Sequence, residues 1–181
     1  MIELDIGRFA YGDKVIFENA SFSFSREGFT ALTGASGSGK TTLLRLFCGL
    51  ERGAELRSID RSDISVVFQE PRLFEGISAL ENASVAGDAD EAKKLLIRFG
   101  MGDSLDKKPS ELSGGMKVRV AVVRALCSKR PFILLDEPFR ALDAQMKETV
   151  FSAIREKTQG GIIVTHDYDS IKEHCTSLIS L

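Results

Sequence analysis

Apolar and polar residues alternate at the start of the chain. Ile2, Leu4 and Ile6, and later Phe22 and Phe24, recur at every second position, which predicts short strands with one buried face. Gly12-Asp13 and Glu27-Gly28 punctuate these strands as turns. From Phe29 the pattern changes to short apolar runs, Phe29–Thr33, Ile64–Phe68, Phe132–Leu135 and Ile162–Thr165, of the kind carried by strands buried on both faces. Helical periods lie between the runs. Lys40 to Leu50 places Leu43, Leu44, Phe47 and Leu50 on one face, with Gly49 near its end. Glu91–Phe99 carries the stripe Ala92, Leu95, Leu96 and Phe99, leaving Lys93 and Lys94 to solvent. Gly114–Cys127 is apolar nearly all round, so neighbours should cover it. Met146, Val150 and Ile154 mark another helix, which Gly160-Gly161 is expected to end. A last helix near Asp169–His174 precedes a terminal strand, Ser177–Ile179. Buried strands separated by helices predict an α/β chain, a mainly parallel sheet with helices on its faces. No repeat or long linker divides it, so residues 1–181 read as one domain.

Composition narrows the function. The 181 residues hold 26 acidic and 24 basic side chains, a formal charge of −2, without the basic excess usual in a nucleic-acid binder. With 43% apolar and 28% charged residues the chain has ordinary globular composition. No apolar run approaches the ~18 residues that cross a bilayer, and Met1–Asp5 does not read as the start of a secretory signal. Cys48, Cys127 and Cys175 are odd in number, widely spaced and free of any CxxC pair, which suits packed thiols in a reducing compartment. A cytoplasmic location is the expectation.

Gly34-Ala35-Ser36-Gly37-Ser38-Gly39-Lys40-Thr41 matches G-x-x-x-x-G-K-[ST] at every fixed position, between an apolar strand and an amphipathic helix. Gly34, Gly37 and Gly39 let the backbone turn with N–H groups pointing inward, where phosphate oxygens accept from them. The helix starting near Lys40 adds the positive end of its dipole. Lys40 supplies charge for the β- and γ-phosphates of a nucleoside triphosphate, and the Thr41 hydroxyl can ligate Mg²⁺. Ser36, Ser38 and Thr42 complete the candidate nucleotide-binding loop.

Asp136 and Glu137 end the apolar run Phe132–Leu135. In open parallel sheets ligands sit beyond the carboxyl ends of strands, so both acids should face the phosphate loop. Asp136 suits holding Mg²⁺, and Glu137 suits polarising an attacking water as general base.

Leu112-Ser113-Gly114-Gly115-Met116 reads either as a capped helix start or as an anion site built from hydroxyl, glycine N–H groups and dipole. With it the chain closely resembles the ATP-binding subunits of ABC transporters, whose signature motif is Leu-Ser-Gly-Gly. The resemblance covers essentially the whole chain. Tyr11 lies where the family's adenine-stacking aromatic sits, and Gln69 where its Q-loop glutamine follows a strand. Ala141-Leu142-Asp143 looks like the D-loop, and His166 after Ile162–Thr165 like the switch histidine. Taken singly, Tyr11 also fits a half-buried hairpin ring, Gln69 a strand-ending amide and His166 a turn residue; His174 has no motif around it.

The resemblance implies a P-loop ATPase fold with a small antiparallel β lobe and a helical signature lobe at about residues 71–125. It implies two such subunits, identical or paralogous, closed head to tail on two ATP molecules. Ser113, Gly114 and Gly115 would then meet the γ-phosphate bound by the opposite subunit, and Asp143 would pass closure between the sites. Glu137, His166, Lys40 and Gln69 would be the catalytic set, with Thr41, Gln69 and Asp136 at the metal. Pro71, Arg72, Leu73 and Phe74 would line the groove for an integral membrane permease, alongside a separate solute-binding protein. The subunit would sit on the cytoplasmic face of the cell membrane and bind no nucleic acid.

The wording of Leu112–Val120, Pro71–Phe74, Leu80-Glu81-Asn82 and Glu137-Pro138-Phe139 resembles the importer branch for nitrate, sulfonates and taurine. Lys117-Val118 departs from that branch's usual Arg-Gln, Arg140 from its usual Gly, and the stretch from Leu50 to Gln69 is short. The alternative is a soluble ABC-type ATPase working on nucleic acid or in assembly. The roughly 70 residues between Thr41 and Ser113 leave no room for the long coiled coil of the DNA-gripping relatives.

Overall fold

The computed structural model describes residues 1–140 and 142–181; Ala141 of the expected D-loop lies outside the described residues. The opening alternation folds as expected. β1 (Ile2–Tyr11) and β2 (Lys14–Phe24) form an antiparallel hairpin, with a register shift between Phe9 and Ala10. Ile2, Leu4 and Ile6 are buried on the inner face of β1. β4 (Ala54–Arg57) pairs with the other edge of β1 and completes a three-stranded antiparallel sheet in the order β2-β1-β4.

The apolar runs become a five-stranded parallel sheet. Its strands are β3 (Gly28–Thr33), β5 (Ile64–Val67), β6 (Phe132–Asp136), β7 (Gly160–Val164) and β8 (Ser177–Ser180), in the order β5-β6-β7-β3-β8. Alternate residues of these strands enter two separate cores. Leu32, Leu134, Ile162 and Val164 pack with α1 (Lys40–Phe47) and the antiparallel sheet. Ala31, Ile133, Leu135 and Ile163 pack with α4 (Gly114–Cys127) and α5 (Ala144–Lys157). The parallel sheet is thus the middle layer of three, buried on both faces.

The helical lobe is built from α2 (Ala79–Ser84), α3 (Ala89–Arg98) and α4, the last buried along Val120–Val123 as its all-round apolar character requires. Three expectations need correction. Gly160-Gly161 does not end α5; both glycines lie inside β7, between β3 and β6. A Cβ on Gly160 would come within 2.5 Å of the Gly28 carbonyl oxygen, and one on Gly161 within 2.3 Å of that of Ile133. They permit a close backbone approach rather than a turn. Leu50 lies beyond α1 and is exposed. The helix expected at Asp169–His174 is one 3-10 turn, Lys172–His174. Both β4 and α2 were unexpected from the sequence; at four and six residues each is too short for a periodic signal.

Candidate functional site

The loop between β3 and α1 turns through left-handed glycines, Gly34 at φ 141°, Gly37 at φ 80° and Gly39 at φ 106°. A side chain at Gly34 would also collide with Ser38 Oγ, at 2.9 Å from an added Cβ. Lys40 curls under this loop and donates from Nζ to the carbonyl oxygens of Gly34 (2.9 Å) and Ala35 (2.8 Å). Its ammonium is therefore held by backbone dipoles in a site that leaves the residue only 7% exposed. Ser38 Oγ is buried without a hydrogen-bond partner.

Asp136 ends β6 opposite α1 and accepts a 2.7 Å hydrogen bond from Thr41 Oγ1. Burial pushes its carboxyl above the usual range, against the opposing pull of Thr41 and Lys40. Glu137 follows in a left-handed conformation, φ 52°, so its side chain leaves the line of the strand. Burial raises this carboxyl as well; nearby His166 opposes the rise and Asp136 adds to it. Glu137 Oε1 is buried without a hydrogen-bond partner and stands 3.5 Å from His166 Nε2.

These groups converge on one cleft of about 320 Å³. Ser36, Gly37, Gly39, Lys40, Thr41 and Thr42 line it from the loop and the start of α1, and Gln69, Asp136, Glu137 and His166 from the carboxyl ends of β5, β6 and β7 and the segments that follow them. Tyr11 stands at the mouth, at the end of the β1–β2 hairpin, packed edge-on against Phe9 at 4.9 Å. Its hydroxyl donates to Glu51 Oε1 at 3.1 Å, and the residue is 45% exposed. Lys14, Ile16 and Val164 also line the cleft and were not singled out from the sequence. Lys14 opposes Tyr11 across the hairpin, a register that a turn at Gly12-Asp13 makes legible in retrospect.

The signature residues lie elsewhere. Ser113 caps α4, its Oγ accepting from Met116 N at 3.3 Å. Gly114 and Gly115 border a second cleft of about 250 Å³ with Lys117, Val118 and Arg140, and Gln69 and Glu137 close it on the side of the first. Two of the sequence departures, Lys117-Val118 and Arg140, thereby share one surface. Asp143 caps α5, accepting from Met146 N at 2.8 Å. Neither Ser113 nor Asp143 lines the cleft that holds Lys40 and Thr41.

Pro71–Phe74 is held by Arg124, which no motif includes, and by Asn82 of the Leu80-Glu81-Asn82 phrase. Arg124 donates to the carbonyl oxygens of Pro71 (2.8 Å) and Arg72 (3.2 Å). Asn82, fully buried, accepts from Phe74 N and donates to three carbonyl oxygens, those of Phe74, Ile77 and Ser78. Phe74 itself is 56% exposed.

A glycine-lined phosphate loop, a threonine–aspartate pair and a buried glutamate at the carboxyl end of a parallel sheet define a P-loop nucleotide-binding domain. A family model described as ABC transporter matches residues 17–140. The chain is 38% identical to the aliphatic sulfonates import ATP-binding protein SsuB 3 of Rhodococcus jostii, over 90% of this chain and 64% of that protein. It is 38% identical to SsuB 2 of Frankia alni, over 96% of this chain and 74% of the relative. The bicarbonate transport ATP-binding protein CmpD of Synechocystis is 33% identical over 88% of this chain and 65% of its own length. The chain thus spans about two thirds to three quarters of these relatives. A dimeric ATP-binding cassette solved in a post-hydrolysis state with ADP and Pi superposes over the whole chain and 94% of its own, with a TM-score of 0.85 at 26% identity. The ATP-binding subunit of an ABC transporter superposes with a TM-score of 0.87 at 24% identity, over the whole chain and 85% of its own. The chain belongs to the ABC transporter family and is one of its ATP-binding domains. Among the described residues no helix is long and apolar enough to cross a membrane.

Proposed function

We propose that the chain hydrolyses ATP as one half of a head-to-tail pair, and that closure of the pair drives import of a small anionic solute through a membrane permease. The observation that carries this reading is that two phosphate-ready surfaces face different clefts, which have Gln69 and Glu137 in common. Lys40 and Thr41 line one cleft, while the α4 terminus at Gly114 and Gly115 borders another. Ser113, Gly114 and Gly115 would close on the γ-phosphate held by a second subunit, identical or paralogous, with Asp143 at the seam between them.

The residues of the first cleft support the following division of roles. Tyr11 offers an exposed ring face for the base, and Lys40 exchanges its two loop carbonyls for the β- and γ-phosphates. Glu137 takes a proton from water as the water oxygen bonds to the γ-phosphorus and the bond to the bridging oxygen breaks, giving ADP and phosphate. His166 Nε2 donates to the γ-phosphate, and Gln69 orients the water. Thr41, Asp136 and Gln69 fit a magnesium ion: they are oxygen ligands lining one cleft, and burying the Asp136 carboxylate beside a hydroxyl is costly without a cation. The ion would offset charge on the phosphates.

Residues 71–125 form the lobe that meets the permease on the cytoplasmic face of the membrane, with Pro71, Arg72, Leu73 and the exposed Phe74 as its groove. The aliphatic sulfonates and bicarbonate in the relatives' names support a small oxyanion as the solute, delivered by a separate binding protein. Glu137→Gln tests the scheme. It should keep ATP binding, lower turnover by roughly 10²–10⁴-fold and dimerise on ATP in light scattering. Ser113→Arg on that background should stay monomeric, and ATP-driven dimers of the double variant would reject the trans site.

A further inference from the structure

His166 has a side chain 58% exposed, yet the proposed chemistry needs Nε2 at a fixed place beside Glu137. What fixes it lies on either side in sequence. Thr165 is buried, its N–H donates to Leu32 O at 3.2 Å, and its Oγ1 accepts from Asp167 N at 2.9 Å. Asp167 is in turn gripped from another element. Lys147, one turn inside α5, donates from Nζ to Asp167 Oδ2 at 3.2 Å and reaches Ser170 Oγ at 3.4 Å. Ser170 Oγ donates to Asp167 O at 3.0 Å and closes the loop on itself. Lys147 N donates to Asp143 O at 2.9 Å, so the same residue touches the cap of α5 and the segment after His166.

We propose that Lys147 is a positioning residue for His166: through Asp167 it ties the histidine loop to the first turn of α5, at Asp143. The inference rests on the proposed role of His166. An exposed ion pair of this kind contributes little to folding stability. Its consequence is geometric, because displacing a catalytic donor by about 1 Å can cost as much as 10²-fold in rate. The Ser170 hydroxyl and the Lys147 ammonium also hold the Asp167 carboxyl below its usual range.

The experiment measures single-turnover hydrolysis at saturating ATP for Lys147→Ala, Lys147→Arg and Asp167→Asn, each in the wild-type and His166→Ala backgrounds. Lys147→Ala and Asp167→Asn should slow hydrolysis about tenfold with unchanged ATP affinity and unchanged melting midpoint. Lys147→Arg should restore the rate to within about twofold. On the His166→Ala background neither loss should appear, since the strut then has nothing to position. An equal loss with and without His166, or no loss in the wild-type background, overturns the proposal. A wild-type chain without turnover would instead reject the hydrolase reading. The proposal would then be decided by the His166 Cε1–H resonance, which must move in Lys147→Ala and return in Lys147→Arg.

Discussion

Thr41 Oγ1 and Asp136 Oδ2 lie 2.7 Å apart although 95 positions separate them in the chain. The contact joins the first turn of α1 to the end of β6 across the sheet, so the nucleotide loop and the paired acids are built as one unit. Forming it removes the Asp136 carboxylate from water, which leaves that residue 2% exposed.

That arrangement makes the nucleotide-free site a source of instability. The Asp136 and Glu137 carboxyls are both raised by burial, so the folded chain holds protons that the unfolded chain has released. Their contribution therefore falls as pH rises through the interval above the ordinary carboxylate range. Carboxylates with lowered values act oppositely, Glu156 above all, brought down to about 2 by Arg98. The difference between chains isolates one group. Melting midpoints of wild type and Glu137→Gln, compared from pH 4 to 8, should diverge with rising pH, the variant becoming relatively more stable. Parallel curves would remove Glu137 from the buried, uncompensated role.

Asn82 should matter for stability although it touches no nucleotide. Its amide supplies both donors and its oxygen an acceptor to Phe74, Ile77 and Ser78 from a fully buried position. Asn82→Ala takes the acceptor from Phe74 N and the side-chain donor from Ile77 O, whereas Phe74 O keeps Ile77 N and Ser78 O keeps the N–H of residue 82, at about 1–3 kcal/mol for each group left buried and unsatisfied. A destabilisation of roughly 2–4 kcal/mol in urea unfolding is expected, with Phe74 and the preceding turn losing amide-exchange protection first. A loss under about 0.5 kcal/mol would mean that the segment repacks without it.

The sequence made most of the nucleotide cleft legible because its parts are local. A glycine loop, a strand-ending acid pair and a histidine after an apolar run each declare themselves within a few residues. What it hid was long-range. The Lys147–Asp167 contact joins two elements whose meeting depends on how α5 packs, and no periodicity encodes it. Asn82 was read only as part of a family phrase, because a buried amide and an exposed one look alike in a polar stretch. β4 depends on pairing with β1 rather than on any pattern of its own. The glycines of β7 misled for a related reason. A Gly-Gly pair after a helix usually marks its end, and only the neighbouring strands show why side chains are excluded there.

Gly161→Ala tests that last point. The residue pairs with Phe29 on one side and Ile133 on the other. An added methyl would sit 2.3 Å from Ile133 O, 2.9 Å from Ile133 Cγ2 and 3.2 Å from the Phe29 ring. Two of these neighbours are a ladder carbonyl and a branched side chain in the sheet interior, and neither can swing aside. Relief requires β6 and β7 to separate, which would disturb Asp136 at the end of the same ladder. Overpacking of this kind costs about 1–3 kcal/mol, more where backbone must move. The substitution should lower the urea midpoint by at least that equivalent and weaken nucleotide binding in proportion to the displacement of Asp136. Were the two glycines a helix terminator, alanine would be tolerated and ATP affinity untouched.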